Sequence, residues 1–481
     1  MASQPNADGG LYAWIIVAGS HVVQAIYMGD IAGSSLFFVI FTEYFQEGGG
    51  RTFAIVSLQT CVPILIAPLV GVLTKRFGCR PLVIAGGLLS MVANLVTSFA
   101  TSLKWMYFSY GIIQGFGLGL LYAPSIVIIG QHFTKRHALA NGIVFAGVGV
   151  GMITFPPLYE LLIRKYGWRG ALIVISGIYL NVAVCGLLMR SPYPYRTQAR
   201  KLTNNRRLSE EEVNNSVDDS ALNDTGEHGV PTSEQRSVAR YICSSLHNSP
   251  VIVLWRHNSW LRVVCAAGLL TGVGHYIALF HIVSKAVHED ILGFDAALLL
   301  TVFGVANMIG RVAHGWFIDL GYVSPMAVFA VTLILAGAFL LTMPLTNGIY
   351  AVFASVSAAY GLSLGIAGPL YAVSLKLCVG VHDLPTAIGW YVLCSGIGSM
   401  IGPPVAGWLY DVTSNYNISF IMGGVTTILA GCVVLVQLRY LRYKSKRLPS
   451  DCQYDPIAYS DGATEEHKAG VEKLAWMETT L

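Results

Sequence analysis

Apolar runs of about 20 residues recur along this chain, and they limit its fold more tightly than any other feature. A helix of that length crosses a hydrocarbon core of roughly 30 Å and satisfies its own backbone hydrogen bonds. Such runs lie near 12–41, 52–74, 81–101, 105–131, 138–163 and 170–190, and again near 260–283, 295–320, 323–343, 348–375, 386–410 and 417–440. The reading is an all-α membrane protein with 12 transmembrane helices, six before and six after a long polar loop. Only 12% of the 481 residues are charged against 54% hydrophobic, where a soluble domain carries about 25% charged.

The expected segments are a cytoplasmic N-terminus (1–11), a six-helix bundle (12–190), a polar loop (191–258), a second bundle (259–440) and a tail (441–481). The loop contains "RRLSEEEVNNSVDDSALNDTGEHG", which is polar, acidic in its middle and poor in aromatics, the composition of a disordered linker. Lys and Arg mark the cytoplasmic side of membrane proteins. Lys75, Arg76, Arg80, Lys135, Arg136, the loop arginines and Arg439, Arg442, Lys444, Lys446 and Arg447 fall on one side, against Arg164, Lys165 and Arg169 on the other. Both termini and the loop are therefore expected in the cytoplasm, which would leave the sequons at Asn214 and Asn223 unmodified. With no basic n-region or small-residue cleavage site ahead of it, the first span is expected to stay as a signal anchor.

The net charge of +4 is small, and the basic residues sit in short clusters beside apolar runs, so no nucleic-acid partner is expected. The nine cysteines lack metal or disulfide spacing, and most lie within apolar runs, as Cys61, Cys185, Cys265 and Cys394 do; they read as small buried hydrophobes. No nucleophile–base constellation is visible, so an enzyme is not expected. Neither a cofactor nor a metal is implied.

One residue breaks the lipid pattern. Arg311, in "ANMIGRVAHGWFID", sits within an apolar run that carries no charge between Asp295 and itself. An Arg at a bilayer centre costs about 2.5–3.5 kcal/mol on insertion scales, so something must compensate for it or use it. A guanidinium offers two parallel donors matched to a carboxylate, and in a low-dielectric cavity it favours an anionic partner strongly. That partner is either a substrate or a fixed carboxylate of the bundle. Asp30 is the deep carboxylate that could fill the second role.

The two halves repeat. Gly142, Gly149, Gly151, Pro156 and Pro157 match Gly389, Gly396, Gly398, Pro403 and Pro404 without a gap, and "YGIIQGFGLGLLYA" from Tyr110 matches "YGLSLGIAGPLYA" from Tyr360. Glycines permit close helix contact and prolines local bends. Two parallel six-helix repeats resemble the major facilitator superfamily, whose substrate site lies near the midplane between the halves. "GVLTKRFGCRP" (71–81) is similar to its Gly-x-Leu-x-Asp-Arg-x-Gly-Arg signature, a polar latch between helix ends. Gly71, Leu73, Arg76, Gly78 and Arg80 fit, but Lys75 holds the Asp position. The second-half loop keeps a carboxylate in Gly315…Asp319.

Two stretches narrow the resemblance. "DGGLYAW" resembles the Asp/Glu-Gly-Gly-Trp-Gly-Trp opening of monocarboxylate transporters through Asp8, Gly9 and Gly10; Leu11 replaces the first Trp and Trp14 lies one place late. "QHFTKRHALANGIVFAGVGVG" (131–151) resembles their Tyr-Phe-x-Lys-Arg-x-x-Leu-Ala-x-Gly…Ala-Gly signature. Phe133, Lys135, Arg136, Leu139, Ala140, Gly142, Ala146 and Gly147 match, and His132 stands for Tyr. The chain is identified as a member of this family, nearest its divergent branch.

The resemblance makes Arg311 the cation that meets the substrate carboxylate. Proton-coupled members carry a Lys in the first span and an Asp four residues before this Arg. Ala32 and Asn307 occupy those positions here, and neither titrates. Asn307 lies one helical turn from Arg311. His281, in "GHYIALFHIV", is similar to a Pro-Tyr-x-His-Leu run of amino-acid and thyroid-hormone carriers, and would contact substrate, carry a proton or simply bridge helices. Asp30 and His275 are alternative proton sites, and Lys376, near a helix end, is expected to snorkel. The implied function is a multi-pass plasma-membrane solute carrier for small monocarboxylates or carboxylate-bearing zwitterions such as creatine or aromatic amino acids, working by facilitative alternating access. Proton-coupled lactate/pyruvate symport and a non-transporting sensor are the alternatives. Partners implied are the substrate, membrane lipid and a single-span immunoglobulin-type ancillary subunit.

Overall fold

The computed structural model describes residues 10–46, 49–192, 254–256, 258–291 and 293–447. Asp8 and Gly9, most of the polar loop with its two sequons, and the tail beyond 447 lie outside the described residues. The described residues form ten helices long and apolar enough to cross a membrane. Two of these are divided by a glycine outside helical geometry, which gives twelve spans.

The first bundle comprises α1 (Gly10–Phe45), α2 (Gly49–Phe77), α3 (Cys79–Ser98) and α4 (Leu103–His132). His137–Leu188 then breaks at Gly167 into α5 (137–166) and α6 (168–188). The second comprises α7 (Ser259–His288), α8 (Gly293–Asp319) and α9 (Pro325–Thr342). Tyr350–Thr413 breaks at Gly380 into α10 (350–379) and α11 (381–413), and α12 is Asn417–Arg447. The breaks need glycine: φ is 69° at Gly167 and 72° at Gly380, where a Cβ would collide with the backbone. The observed helices overrun the expected spans by a turn or so at several ends, because polar residues continue a helix past the hydrocarbon at little cost.

The sequence repeat returns as a repeat of contacts. A Cβ on Gly151 would lie 2.1 Å from the Ala25 carbonyl oxygen, and one on Gly398 would lie 2.1 Å from that of Leu269. These place α5 on α1 and α11 on α7 at backbone contact. Gly142 meets the carbonyl of Arg311 and its counterpart Gly389 meets that of Ala67; Gly149 faces Met308 as Gly396 faces Ile64. The contacted residues pair as Ala25/Leu269, Ile64/Met308 and Ala67/Arg311, all separated by one constant interval in the sequence. The glycines of α5 and α11 therefore do two jobs at equivalent places. They pack each bundle internally, and they seat each bundle on the other.

That second job makes two seams, α5 against α8 and α11 against α2, running from mid-helix to the end of the molecule that carries Lys75, Lys135 and Arg136. Several polar contacts close this basic end. Asp319 accepts the backbone N–H groups of Ala138 and Leu139 at 3.1 and 2.8 Å. Lys75 pairs with Asp383 at 2.5 Å. Lys376, half-buried near the end of α10, donates to the Phe133 carbonyl at 2.6 Å across the halves.

Backbone-to-backbone contact leaves no room for a branched side chain. Gly151→Val is expected to abolish a monodisperse folded carrier in size-exclusion chromatography. Gly177→Ala, where a Cβ meets nothing within 4 Å, is expected to elute as wild type and melt no lower, since Ala is favoured over Gly in a helix by up to about 1 kcal/mol.

Candidate functional site

Arg311 lies mid-way along the α5–α8 seam, where α8, α10 and α5 converge. Glycines bring these helices close: a Cβ on Gly365 would fall 2.1 Å from the Asn307 carbonyl oxygen and one on Gly361 would fall 2.4 Å from that of Phe303. Close approach lets the buried Asn307 donate from Nδ2 to the Gly361 carbonyl at 3.1 Å. Its amide is thereby oriented, and Oδ1 accepts from Arg311 Nε at 2.7 Å. Arg311 Nη1 donates to the Phe145 carbonyl of α5 at 3.0 Å, and the guanidinium carbon stands 5.9 Å from the Phe145 ring centroid. A Cβ on Gly368 would already touch that carbon at 4.0 Å, so the glycine clears space for the head group.

Both hydrogen-bond partners are neutral, and no carboxylate among the described residues pairs with Arg311. The guanidinium has five N–H donors in a fixed fork. Nε and one Nη1 proton are engaged, which leaves three N–H donors, two on Nη2 and one on Nη1, for a further acceptor such as a carboxylate. A half-buried cation held in a fixed orientation with donors to spare is suited to bind an anion.

Tyrosines surround it, and sequence reasoning missed them. Tyr122 and Tyr371 are electrostatic neighbours of Arg311, and their hydroxyls meet at 3.4 Å across the halves. Tyr27 lies against Tyr122 with ring centroids 4.7 Å apart, and Tyr391 stacks on Tyr371 at 3.9 Å. Tyr371 also meets Phe145 edge-on at 5.8 Å. Rings supply apolar faces for a substrate body and hydroxyls supply dipoles. A signal was present, since Tyr122 and Tyr371 are the matching tyrosines of the repeated "LYA".

Asp30 is not Arg311's partner. Its carboxylate is buried inside the first bundle, accepting from Gln59 at 2.8 Å, Gln114 at 3.0 Å and Tyr159 at 2.7 Å. Gln114 Nε2 also donates to Tyr179 Oη at 2.9 Å. Donors from α2, α4 and α5 thus hold Asp30 of α1 in place, which satisfies the carboxylate without any contact to α8. His275 of α7 lies 3.3 Å from the Tyr360 hydroxyl, beside the Phe303 ring at 6.1 Å, and it is another electrostatic neighbour of Arg311. His281, two turns along α7, packs its ring on Tyr416 at 5.6 Å. The structure therefore brings Arg311, Asn307 and His275 into one region, and sets Asp30 and His281 apart from it.

The 131–151 signature serves the α5–α8 seam, and the opening stretch packs within the first bundle. Trp14 packs edge-on against Phe133 at 5.1 Å, and Gly10 opens α1 at a positive φ of 52°. Lys135 and Arg136 are exposed in the turn before α5, with the Arg136 carbonyl accepting from Ala140 N–H at 3.1 Å. Gly142, from the same signature, touches the backbone of Arg311 itself. Among the described residues no group of three or more potential metal ligands is present.

The Major Facilitator Superfamily profile matches residues 22–377 and 295–452. Monocarboxylate transporter 12 of Mus musculus is 30% identical over 457 residues, covering 93% of this chain and 89% of that protein. Monocarboxylate transporter 13 of Bos taurus is 31% identical, covering 91% and 92%. Among solved structures, the proton:xylose symporter XylE superposes with a TM-score of 0.67 at 14% identity, over 88% of this chain and 95% of XylE. The fucose transporter FucP in its outward conformation gives 0.60 at 15%, over 88% and 99%; at such identities these two show the fold alone. With a doubled six-helix bundle, glycine seams and relatives that are membrane transporters, the chain is a transporter, not an enzyme, and it belongs to the monocarboxylate transporter family of the Major Facilitator Superfamily.

Proposed function

We propose that the protein is a plasma-membrane carrier that moves small monocarboxylates, or zwitterions bearing a carboxylate, by facilitative alternating access. The observation that carries this reading is the half-buried Arg311 guanidinium, fixed by Asn307 and the Phe145 carbonyl and lacking a carboxylate partner among the described residues. Its remaining donors take the substrate carboxylate, and the tyrosine rings border the rest of the molecule. The names of the relatives, monocarboxylate transporters 12 and 13, support the substrate class. The basic end faces the cytoplasm, by the excess of Lys and Arg there. Closure of that end by both seams corresponds to one of the two states between which the halves rock.

Facilitative transport follows from what replaces the titrating pair. Asn307 and Ala32 cannot take up a proton, so nothing at those positions must be neutralised before the loaded carrier turns over. A second reading, proton-coupled symport, draws on one observation: Asp30 is a carboxylate buried among neutral donors, and so could load a proton without losing an ion pair.

Two measurements test these statements. Arg311→Lys keeps the charge and loses the planar fork; uptake of a small monocarboxylate is expected to fall about 10- to 100-fold, the equivalent of about 1.5–3 kcal/mol for a charged hydrogen bond, with surface abundance unchanged. Normal uptake by that variant would make Arg311 structural and remove the central assignment. In proteoliposomes, an inward proton gradient is expected to drive no accumulation. A one-to-one symporter would accumulate substrate about tenfold for each pH unit, and abolition of that accumulation by Asp30→Asn would establish the second reading.

A further inference from the structure

The two seams at the basic end are built on the same plan but with opposite charges. Gly315 of α8 lies against Ala138 and Leu139 at the start of α5, and Gly71 of α2 lies against Pro385 and Thr386 at the start of α11. Gly71 and Gly315 are repeat equivalents, and so are Ala138/Leu139 and Pro385/Thr386. One turn beyond each glycine stands the residue that faces the helix start: Asp319 in one seam, Lys75 in the other.

Asp319 does what a carboxylate does well at a helix N-terminus, accepting two unsatisfied backbone N–H groups. The same solution is barred at the other seam. Pro385 occupies the Ala138 position, and proline has no N–H to offer. A bare Lys there would face the positive end of the α11 dipole. Asp383, in the first turn of α11, removes that conflict: it supplies the anion from the helix side, and Lys75 Nζ meets its Oδ1 at 2.5 Å. His382 Nδ1 adds a second contact to the same oxygen at 3.1 Å. Three departures therefore agree with one another: Lys for Asp at 75, Pro at 385, and Asp at 383.

We propose that Lys75 and Asp383 are a charge-reversed latch that holds α2 and α11 together at the basic end, and that its making and breaking sets the population of this sealed state during transport. The pair differs in kind from its counterpart. Its side chains are 26% and 33% exposed, so water and salt reach it, whereas Asp319 is tied to backbone. The Lys75 latch is the one that yields first. It rests on alternating access and is independent of which substrate the carrier takes, so its test uses none.

Leu384 is 1% exposed, and its side chain abuts Gly130 of α4 across the halves. A Leu384→Cys reporter therefore reacts with a maleimide only when the seam opens, after subtraction of the rate seen without the reporter. In purified carrier, Lys75→Gln and Asp383→Asn are each expected to raise labelling severalfold. Lys75→Asp, which sets two carboxylates together, raises it further. The swap Lys75→Asp with Asp383→Lys returns it to within about twofold of the parent. Raising salt from about 0.1 M to about 1 M shortens the screening length from about 10 Å to about 3 Å, and is expected to speed labelling of the parent but not of Lys75→Gln. A swap that labels as fast as Lys75→Asp, or single variants that label at the parent rate, overturns the latch. Should a variant fail to elute as a monodisperse carrier, the salt response of the parent alone decides, and its absence also overturns the proposal.

Discussion

A half-buried guanidinium with no carboxylate partner among the described residues is the constraint around which this transporter is arranged. Arg311 must be kept charged, oriented and unpaired at once, and those demands conflict in a medium where an isolated cation is expensive. The fold meets them with neutral acceptors. The Asn307 amide and the Phe145 carbonyl each take one hydrogen bond, aromatic faces and hydroxyls lie close by, and part of the fork stays open. Neutral acceptors stabilise the charge less than a carboxylate would. On the proposed function, an anionic substrate makes up the shortfall.

Placing those acceptors depends on helices approaching to backbone contact. Asn307 can be oriented by the Gly361 carbonyl only because Gly361 and Gly365 let α10 lie on α8. The Phe145 carbonyl can reach Arg311 only because Gly142 lets α5 do so from the other half. Anchor and seam are thus one feature. The turn of α5 that closes the basic end also positions the cation, so a movement of one half over the other alters the setting of the Arg311 guanidinium. Binding and alternation are mechanically joined at Gly142.

Much of this was legible in the sequence, for reasons that differ by level. Spans could be read because the bilayer imposes a length on every apolar run, and the repeat because backbone contact admits only glycine, which left Gly142, Gly149, Gly151 and their partners in register. Arg311 stood out by its cost. What stayed hidden was pairing between positions remote in sequence. Asp30 looked like a possible counter-ion because nothing local says that Gln59, Gln114 and Tyr159 surround it. Lys75 read only as a departure from the signature because its partner Asp383 lies on the other half. The tyrosines near Arg311 were visible only as a repeated "LYA", since an aromatic at helical spacing carries no mark of which cavity it faces.

The repeat also shows what this chain has done with its symmetry. Ala67 stands where the second half has Arg311, Pro63 where it has Asn307, and Gly274 where the first half has Asp30. A symmetric scaffold therefore bears Arg311 in one bundle and the buried Asp30 in the other, each hydrogen-bonded by neutral groups. Had the two met, their attraction at about 4 Å would amount to about 4 kcal/mol at an effective dielectric constant of about 20. A substrate would have to overcome that attraction before binding, a loss of roughly a thousandfold in affinity. Enclosing Asp30 with Gln59, Gln114 and Tyr159 keeps it out of that competition. On the proposed function, the carboxylate cage of the first bundle and the remaining Arg311 donors of the second are thus two parts of one arrangement, in which the anion the protein already owns is kept from the place of the one it would carry.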